Sequence, residues 1–131
     1  MLKQEICELV EKSISDKQYV EELIFTIPDK TITRVLAILH LNMSDYICVI
    51  RSHEIRHVYK GHPDDIQFIC EIPEIIQKFD KVRKSIVQDR KTRKNLVNLE
   101  FYKKYNNETV KLVNLKIHKD KKLELKTIFV V

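Results

Sequence analysis

The sequence predicts an α+β domain in which a helical N-terminal half packs on a four-stranded antiparallel C-terminal sheet. Apolar residues recur at helical spacing in several segments before about residue 79, whereas beyond it they alternate with polar residues. Short basic or Asn-rich segments separate the alternating stretches, which is typical of an antiparallel meander. At 131 residues we expect one domain, 1–131, with a helical part of about 1–78 and a meander of about 79–131.

The N-terminal half shows both periodicity and stop signals. The predicted helices are Met1–Ser13, Thr31–Leu41, Ser52–Gly61 and a segment starting at Asp64 or Asp65, and the predicted strands are Gln18–Ile27 and Tyr46–Ile50. Candidate N-caps are Asp29 or Thr31 for the second helix, Ser52 for the third and Asp64 or Asp65 for the next. Gly61 followed by Pro63 predicts a helix end, since glycine enters the left-handed conformation without a Cβ penalty.

The C-terminal half is predicted to be all strand. The four segments are Val82–Val87, Leu96–Tyr105, Val110–Lys119 and Leu123–Val131. Alternation is clear at Val97, Leu99 and Phe101 and again at Val113, Leu115 and Ile117. The short connections between these segments predict that neighbouring strands pair in sequence order.

The charge is unevenly distributed along the chain. Residues 1–80 hold 9 Lys or Arg and 14 Asp or Glu, whereas residues 81–131 hold 15 and 5. Such asymmetry between halves favours a polyanionic partner for the C-terminal half. The alternative is a solvated, lysine-rich sheet exterior without a dedicated partner.

The three cysteines, Cys7, Cys48 and Cys70, are widely spaced and have apolar neighbours. Metal clusters use closer pairs, so this pattern favours buried free thiols in a reducing compartment. No apolar run approaches membrane-spanning length and the N-terminus does not resemble a signal peptide. We therefore expect a cytoplasmic protein without a membrane partner.

The segment Arg51–Asp65 holds three of the five histidines and the only glycine. His53, Glu54 and His57 match H-E-x-x-H, in which two histidines one helical turn apart bind Zn²⁺ and the glutamate acts as general base. Arg56 lies within the motif, and no third ligand has a characteristic spacing. A zinc metallopeptidase is therefore one hypothesis, and a surface helix that matches by chance is the alternative.

A second pair, His57 and His62, lies on either side of the predicted helix end at Gly61. Two imidazoles near neutrality suit general acid–base chemistry, in which one removes a proton while the other donates one. A ribonuclease of this kind needs no metal, because the 2′-hydroxyl of the RNA is the nucleophile and cations stabilise the phosphorane. The structural alternative is that His57 is a packed helix residue and His62 a solvated loop residue.

Several segments in the same order resemble the phage-associated branch of the barnase, EndoU, colicin and RelE-like (BECR-fold) ribonuclease superfamily. They are the helix TITRVLAILHLN, the strand DYICVI, H-V-Y-K-G-H at His57–His62, I-P-E-I-I at Ile72–Ile76, the meander, and the last strand LELKTIF with Thr127. The resemblance covers roughly residues 25–131. It implies helices followed by a four-stranded antiparallel sheet and a metal-independent, toxin-like endoribonuclease. On this resemblance, His57 and His62 match the histidine pair and Thr127 the hydroxyl residue of the last strand.

Basic and aromatic residues of the meander complete the candidate site. Lys103 and Lys126 are candidates for neutralising the developing phosphorane. Arg90 and Arg93 lie in a basic loop suited to phosphate contact, and Tyr102 is placed to stack on a base. For each of these residues the alternative is an ordinary solvated or sheet-packing role.

These observations predict a metal-independent endoribonuclease that cleaves RNA, with tRNA as one candidate, through His57, His62 and Thr127. No cofactor is expected. An inhibitor or immunity protein is an expected partner, because unrestrained RNA cleavage harms the host. The first alternative is a non-catalytic RNA- or DNA-binding module that uses the basic sheet, and the second is the H-E-x-x-H zinc peptidase.

Overall fold

The elements come from a computed structural model that describes residues 1–131. The helices are α1 (Leu2–Ser15), α2 (Asp29–Leu39), α3 (Ser52–Gly61) and α4 (Ile72–Lys78), with a 3-10 helix, η1 (Pro63–Glu71), between the last two. The strands are β1 (Glu22–Thr26), β2 (Ile47–Arg51), β3 (Lys81–Gln88), β4 (Asn95–Tyr105), β5 (Glu108–Ile117) and β6 (Lys122–Val130). The predicted α+β class is confirmed.

The sheet has six strands in the order β1-β2-β6-β5-β4-β3. The predicted four-stranded, purely antiparallel sheet is wrong, because β1 and β2 from the N-terminal half join the meander and β2 runs parallel to β6. The meander itself pairs as predicted, β3 with β4, β4 with β5 and β5 with β6, all antiparallel. The spacing of apolar residues and short turns predicts hairpins between neighbouring segments. It does not predict a parallel pairing between segments some 75 residues apart.

One face of the sheet, here called the core face, packs against the helices. Its central row runs across β3 to β6 as Val82, Phe101, Leu112 and Ile128, all at most 5% exposed. Isoleucines of η1 and α4 complete the same hydrophobic cluster. Burial of this apolar surface is the main stabilising term of the fold.

The opposite face carries most of the sheet's charged and hydroxyl side chains and is here called the polar face. Its three rows across β3, β4, β5 and β6 are Lys81–Tyr102–Lys111–Phe129, Arg83–Glu100–Val113–Thr127 and Ser85–Asn98–Leu115–Glu124. The step from Thr127 to Glu124 spans three residues because a bulge leaves Lys126 as an extra residue of β6. The bulge keeps Glu124 and Thr127 on one face.

The helix ends differ in detail from the predicted caps. Ser52 does not cap α3; its hydroxyl donates to the Glu21 carbonyl and accepts from Ser13, which ties α1 and the segment before β1 to the start of α3. Neither Asp29 nor Thr31 caps α2, since Thr31 donates to the Ile76 carbonyl instead. The Ser52 and Thr31 hydroxyls bond to groups that are distant in the chain, which a local capping pattern does not reveal.

The end of α3 also has its own geometry. Gly61 is the last helical residue but has no positive φ, and the chain leaves the helix at His62 with φ −139°. No cap bond from Asp64 or Asp65 holds the start of η1; the Asp65 carboxylate accepts from the Val130 amide of β6 instead. The predicted helix end is therefore in place, although the left-handed glycine and the aspartate cap are wrong.

Two of the cysteines are paired. Cys7 of α1 and Cys70 of η1 form a disulfide with a Cα–Cα distance of 5.2 Å, and only Cys48 is a free, buried thiol. The prediction of three free thiols is therefore wrong, because pairing across 63 residues depends on how α1 packs on η1. A disulfide is typical of oxidising surroundings, so the cysteines no longer argue for a reducing compartment.

None of the helices combines the length and the apolar composition that are needed to cross a membrane.

Candidate active site

Helix α3 borders the polar face and brings three polar side chains to it. His53, Glu54 and His57 lie on one side of the helix, while Ile55 and Val58 are buried on the other. A pocket of about 350 Å³ opens between this side and the sheet, and its lining consists of His53, Glu54, His57, Leu96, Leu115, Glu124, Leu125 and Lys126. The amphipathic spacing of α3 therefore places His57 over the bulged part of β6.

His62 borders the same face one step further along β6. Its ring stacks on Phe129 with centroids 4.7 Å apart and an interplanar angle of 13°. Phe129 lies in a row of the polar face, so His57 and His62 both border that face. His62 does not line the pocket beside His57. The Asp65 bond to Val130 anchors η1 to β6 next to this stack.

A charged cluster occupies the middle of the polar face around the nearly buried Glu100. The Tyr102 hydroxyl donates to Glu100 Oε1 at 3.0 Å, and Arg83 Nε and Lys111 Nζ lie 3.5 and 3.7 Å from the same oxygen. Burial opposes ionisation of Glu100, but hydrogen bonds from Ser85 and Tyr102 and the charges of Lys111 and Arg83 outweigh it and lower the pKa of this carboxyl. The cluster therefore holds a carboxylate that orients two cations.

Aromatic rings and lysines alternate along the first row of the polar face. Lys81 Nζ lies 5.2 Å from the Tyr102 ring centroid, and Lys111 Nζ lies 5.7 Å from that of Tyr102 and 5.8 Å from that of Phe129. These distances are within cation–π range. Tyr102, Lys111 and Phe129 are half-buried, so their edges remain accessible to a ligand on this face.

The structure brings some of the predicted site residues together and leaves others apart. Thr127 lies on the polar face in the row of Glu100, and Lys126 lines the pocket beside His57. Lys103 has the parity of Phe101 and pairs with Val110, so it lies on the core side, where its Nζ is 5.2 Å from the Tyr105 ring centroid. The structure therefore does not bring Lys103 to the polar face.

Arg90 and Arg93 are exposed in the β3–β4 hairpin loop and do not line the pocket. Asp89 organises this loop, because its carboxylate accepts from the Thr92 hydroxyl at 2.7 Å and its backbone amide donates to the Lys94 carbonyl. The Thr92 hydrogen bond is also the main cause that lowers the pKa of Asp89. The hydrogen bonds of Asp89 thus fix the conformation of the basic loop at one end of the sheet.

The H-E-x-x-H motif does not acquire a third ligand in the fold. Across residues 1–131, no three His, Cys, Asp or Glu side chains are grouped to hold a metal ion. Glu71, a carboxylate that follows the motif in the sequence, pairs with Lys3 Nζ at 2.6 Å. A catalytic zinc site uses three protein ligands, so the geometry expected of a zinc peptidase is incomplete.

Glu54 has an environment that disfavours its charge. Burial raises the pKa of Glu54, and its nearest cation, Arg51, lies 3.9 Å away and is bound more closely to Glu124. In the folded state Glu54 therefore holds its proton to a higher pH than it does when unfolded. The folded protein then binds more protons across that window, and its stability falls as the pH rises through it.

Replacement of Glu54 by Gln is expected to raise the free energy of unfolding above neutrality, because the variant no longer ionises a half-buried group. In acid, below the unfolded-state pKa of a glutamate, the two proteins should converge. Urea unfolding at several pH values measures this difference. Glu108→Gln, at an exposed carboxylate at the start of β5, is the matched control; a Glu54→Gln variant less stable than wild type above neutrality would contradict this prediction.

Sequence reasoning missed the cluster around Glu100. Glu100, Arg83 and Lys111 were not among the predicted site residues, yet a signal was present. The alternation of Leu99 and Phe101 assigns Asn98, Glu100 and Tyr102 to the other face of β4. In β5 the same rule fails. The alternating apolar residues Val113 and Leu115 lie on the polar face, because Val110 and Leu112 form the core face.

One family model matches the chain over residues 26–131, and its description is phage-Barnase-EndoU-ColicinE5/D-RelE like nuclease3. The matched region begins at the end of β1 and includes α3, η1 and the four strands of the meander, β3 to β6. No curated protein and no solved structure matches the chain. Because the match covers most of its length, the chain belongs to the phage-Barnase-EndoU-ColicinE5/D-RelE like nuclease family, as the segments around His57–His62 indicated.

Proposed function

We propose that this protein is a metal-independent endoribonuclease that cleaves RNA, with tRNA as a candidate substrate, by histidine general acid–base catalysis on the polar face. The observation that carries this proposal is that His57 and His62 both border the face that holds Thr127, Tyr102 and Lys111. Membership of a nuclease family supports the reaction class.

The two histidines divide the proton transfers between them. One imidazole, His57 in the simplest assignment, removes the proton from the 2′-hydroxyl, whose oxygen attacks the adjacent phosphorus. The bond from phosphorus to the 5′-oxygen breaks, and the other imidazole, that of His62, protonates this leaving oxygen. The products are a 2′,3′-cyclic phosphate and a free 5′-hydroxyl.

Cations and a hydroxyl on the same face stabilise the phosphorane. Lys111, held by Glu100, and Lys126, released from the strand ladder by the bulge, are placed to offset its negative charge. Thr127 donates a hydrogen bond to a phosphate oxygen in this scheme. Lys103 has no part in it, because it lies on the core side of the sheet.

Substrate binding beyond the scissile phosphate uses the basic and aromatic groups of the sheet. Tyr102 lies between Lys81 and Lys111, so a base that stacks on its ring has a cation on each side. Arg90 and Arg93 add phosphate contacts at the hairpin loop. Affinity should fall steeply with salt, since each phosphate contact releases counterions.

A nuclease of this kind acts on cytoplasmic RNA and is harmful to the cell that contains it. We therefore include a toxin-like role, a phage association and an inhibitor or immunity protein in the proposal. The family description supports the phage association. An inhibitor that covers the polar face would need an acidic surface, because Lys81, Arg83 and Lys126 are exposed there.

Purified protein is expected to cleave total RNA in the presence of EDTA and to leave single-stranded DNA of the same sequence intact, because the 2′-hydroxyl is the nucleophile. A denaturing gel with and without EDTA measures this. Cleavage that disappears with EDTA would indicate a metal-dependent site and contradict the proposal. Salt-sensitive RNA binding without cleavage would favour the non-catalytic binding module.

A further inference from the structure

The pocket between α3 and the polar face has a composition that the proposed acid–base chemistry does not use. Apolar walls come from the side chains of Leu96 and Leu115, while carboxylates of Glu54 and Glu124 lie at the same pocket. Its volume of about 350 Å³ is at the lower end of the usual range for small-molecule sites, roughly 300–1,000 Å³. Such a volume suits one nucleobase with its ribose and excludes a folded RNA element.

The two carboxylates differ in the ion pairs and hydrogen bonds that they form with the protein. Glu124 forms a close ion pair with Arg51, which also binds Glu22 at 3.1 Å. Glu54 has only the 3.9 Å approach of Arg51 and forms no hydrogen bond with a protein group. Glu54 is thus a partly desolvated acceptor at the pocket that lacks a donor, which a bound ligand can supply.

We propose that this pocket binds the base next to the scissile phosphate and selects it by the hydrogen-bond donors on its Watson–Crick edge, with Glu54 as the acceptor. Guanine presents two adjacent donors, N1–H and the N2 amino group, and can bond both oxygens of one carboxylate. Adenine and cytosine present one amino donor each. Uracil presents a single N–H between two carbonyls that face the carboxylate, so it binds most weakly.

The position of the pocket fits this role within the proposed nuclease. His57 lines the pocket, and Lys126 lies at it on the bulge, so a base seated among the leucines has its phosphate beside the histidine and the lysine. The leucines contact the faces of the ring, as apolar groups do where enzymes hold an unstacked base. This inference rests on the proposed function, since it assigns the cleavage-site nucleotide.

Binding of the four nucleoside 3′-monophosphates tests the inference without requiring cleavage. Leucine methyl groups are followed by NMR while 3′-GMP, 3′-AMP, 3′-CMP or 3′-UMP is added to the full chain. We expect shifts at Leu96 and Leu115 and an affinity for 3′-GMP about 10- to 100-fold higher than for 3′-UMP, the range of one bidentate base contact. Glu54→Gln should remove most of this difference, whereas Glu108→Gln should keep it.

Equal affinities for the four nucleotides would overturn the inference, as would a guanine preference that survives in Glu54→Gln. The result is separable from the proposed function. RNA cleavage without leucine methyl shifts would contradict base binding in the pocket and would not affect the proposed nuclease activity. Selective 3′-GMP binding by a protein that cuts no RNA would support the pocket and contradict the nuclease.

Discussion

Replacement of His57 by Ala is expected to lower the rate of RNA cleavage by about 10²- to 10⁴-fold, the usual contribution of a general acid or base. The imidazole is exposed at the pocket and belongs to no buried hydrogen bond, so its removal should change stability little. RNA affinity should also change little, because the proposed phosphate contacts come from lysines of the polar face and arginines of the hairpin loop. Rates from a labelled oligonucleotide, with affinities from a filter-binding titration, separate the two effects.

The matched control for His57→Ala is His40→Asn. His40 is an exposed histidine at the end of α2 with φ 58°, and asparagine tolerates this left-handed conformation. The control should cleave RNA at the wild-type rate. A His57→Ala variant that cleaves RNA at the wild-type rate would show that His57 takes no part in catalysis. Equal losses of affinity and rate would show that His57 contributes to RNA binding alone.

Replacement of both Cys7 and Cys70 by Ser is expected to lower the free energy of unfolding by about 4 kcal/mol, the loop-closure estimate for a cross-link across 63 residues. The link joins α1 to η1, and η1 begins directly after His62. Loss of the link should therefore loosen the segment that holds His62 on Phe129. Urea unfolding of the variant and of the wild type measures the effect.

Thiol counting is the control for the disulfide. Under denaturing, non-reducing conditions one thiol, that of Cys48, should react with iodoacetamide, and three should react after reduction. In the native protein Cys48 should be slow to react, because burial raises the pKa of its thiol to about 12. Three reactive thiols without reduction, or a double variant as stable as the wild type, would contradict the link.

The predicted elements nearest the site agree well with the structure where the signals are local. Helix α3 ends at Gly61 as predicted from Gly61 and Pro63, and it begins at Ser52, the residue that the sequence suggested as its N-cap. The four C-terminal strands lie within two residues of their predicted bounds. Alternation and turn residues act over short distances, so a single sequence carries them.

Features that depend on distant contacts were not predictable in this way. The parallel pairing of β2 with β6 and the bond between Cys7 and Cys70 both depend on how segments far apart in the chain pack. The bulge that frees Lys126 changes the parity of β6, so the sides of Lys126 and Thr127 could not be assigned by counting. Lys103 was the opposite case, since the parity of Phe101 already assigns it to the core side.

The chemical ends of the cleaved RNA test the proposed mechanism most directly. A synthetic RNA that the protein cuts at one position is digested in the presence of EDTA. The masses of the products are then measured by mass spectrometry. Attack by the 2′-hydroxyl predicts a 2′,3′-cyclic phosphate on one product and a 5′-hydroxyl on the other, and no cleavage when that single nucleotide is 2′-deoxy. A 5′-phosphate with a 3′-hydroxyl, or undiminished cleavage of the 2′-deoxy substrate, would contradict histidine acid–base catalysis on the polar face.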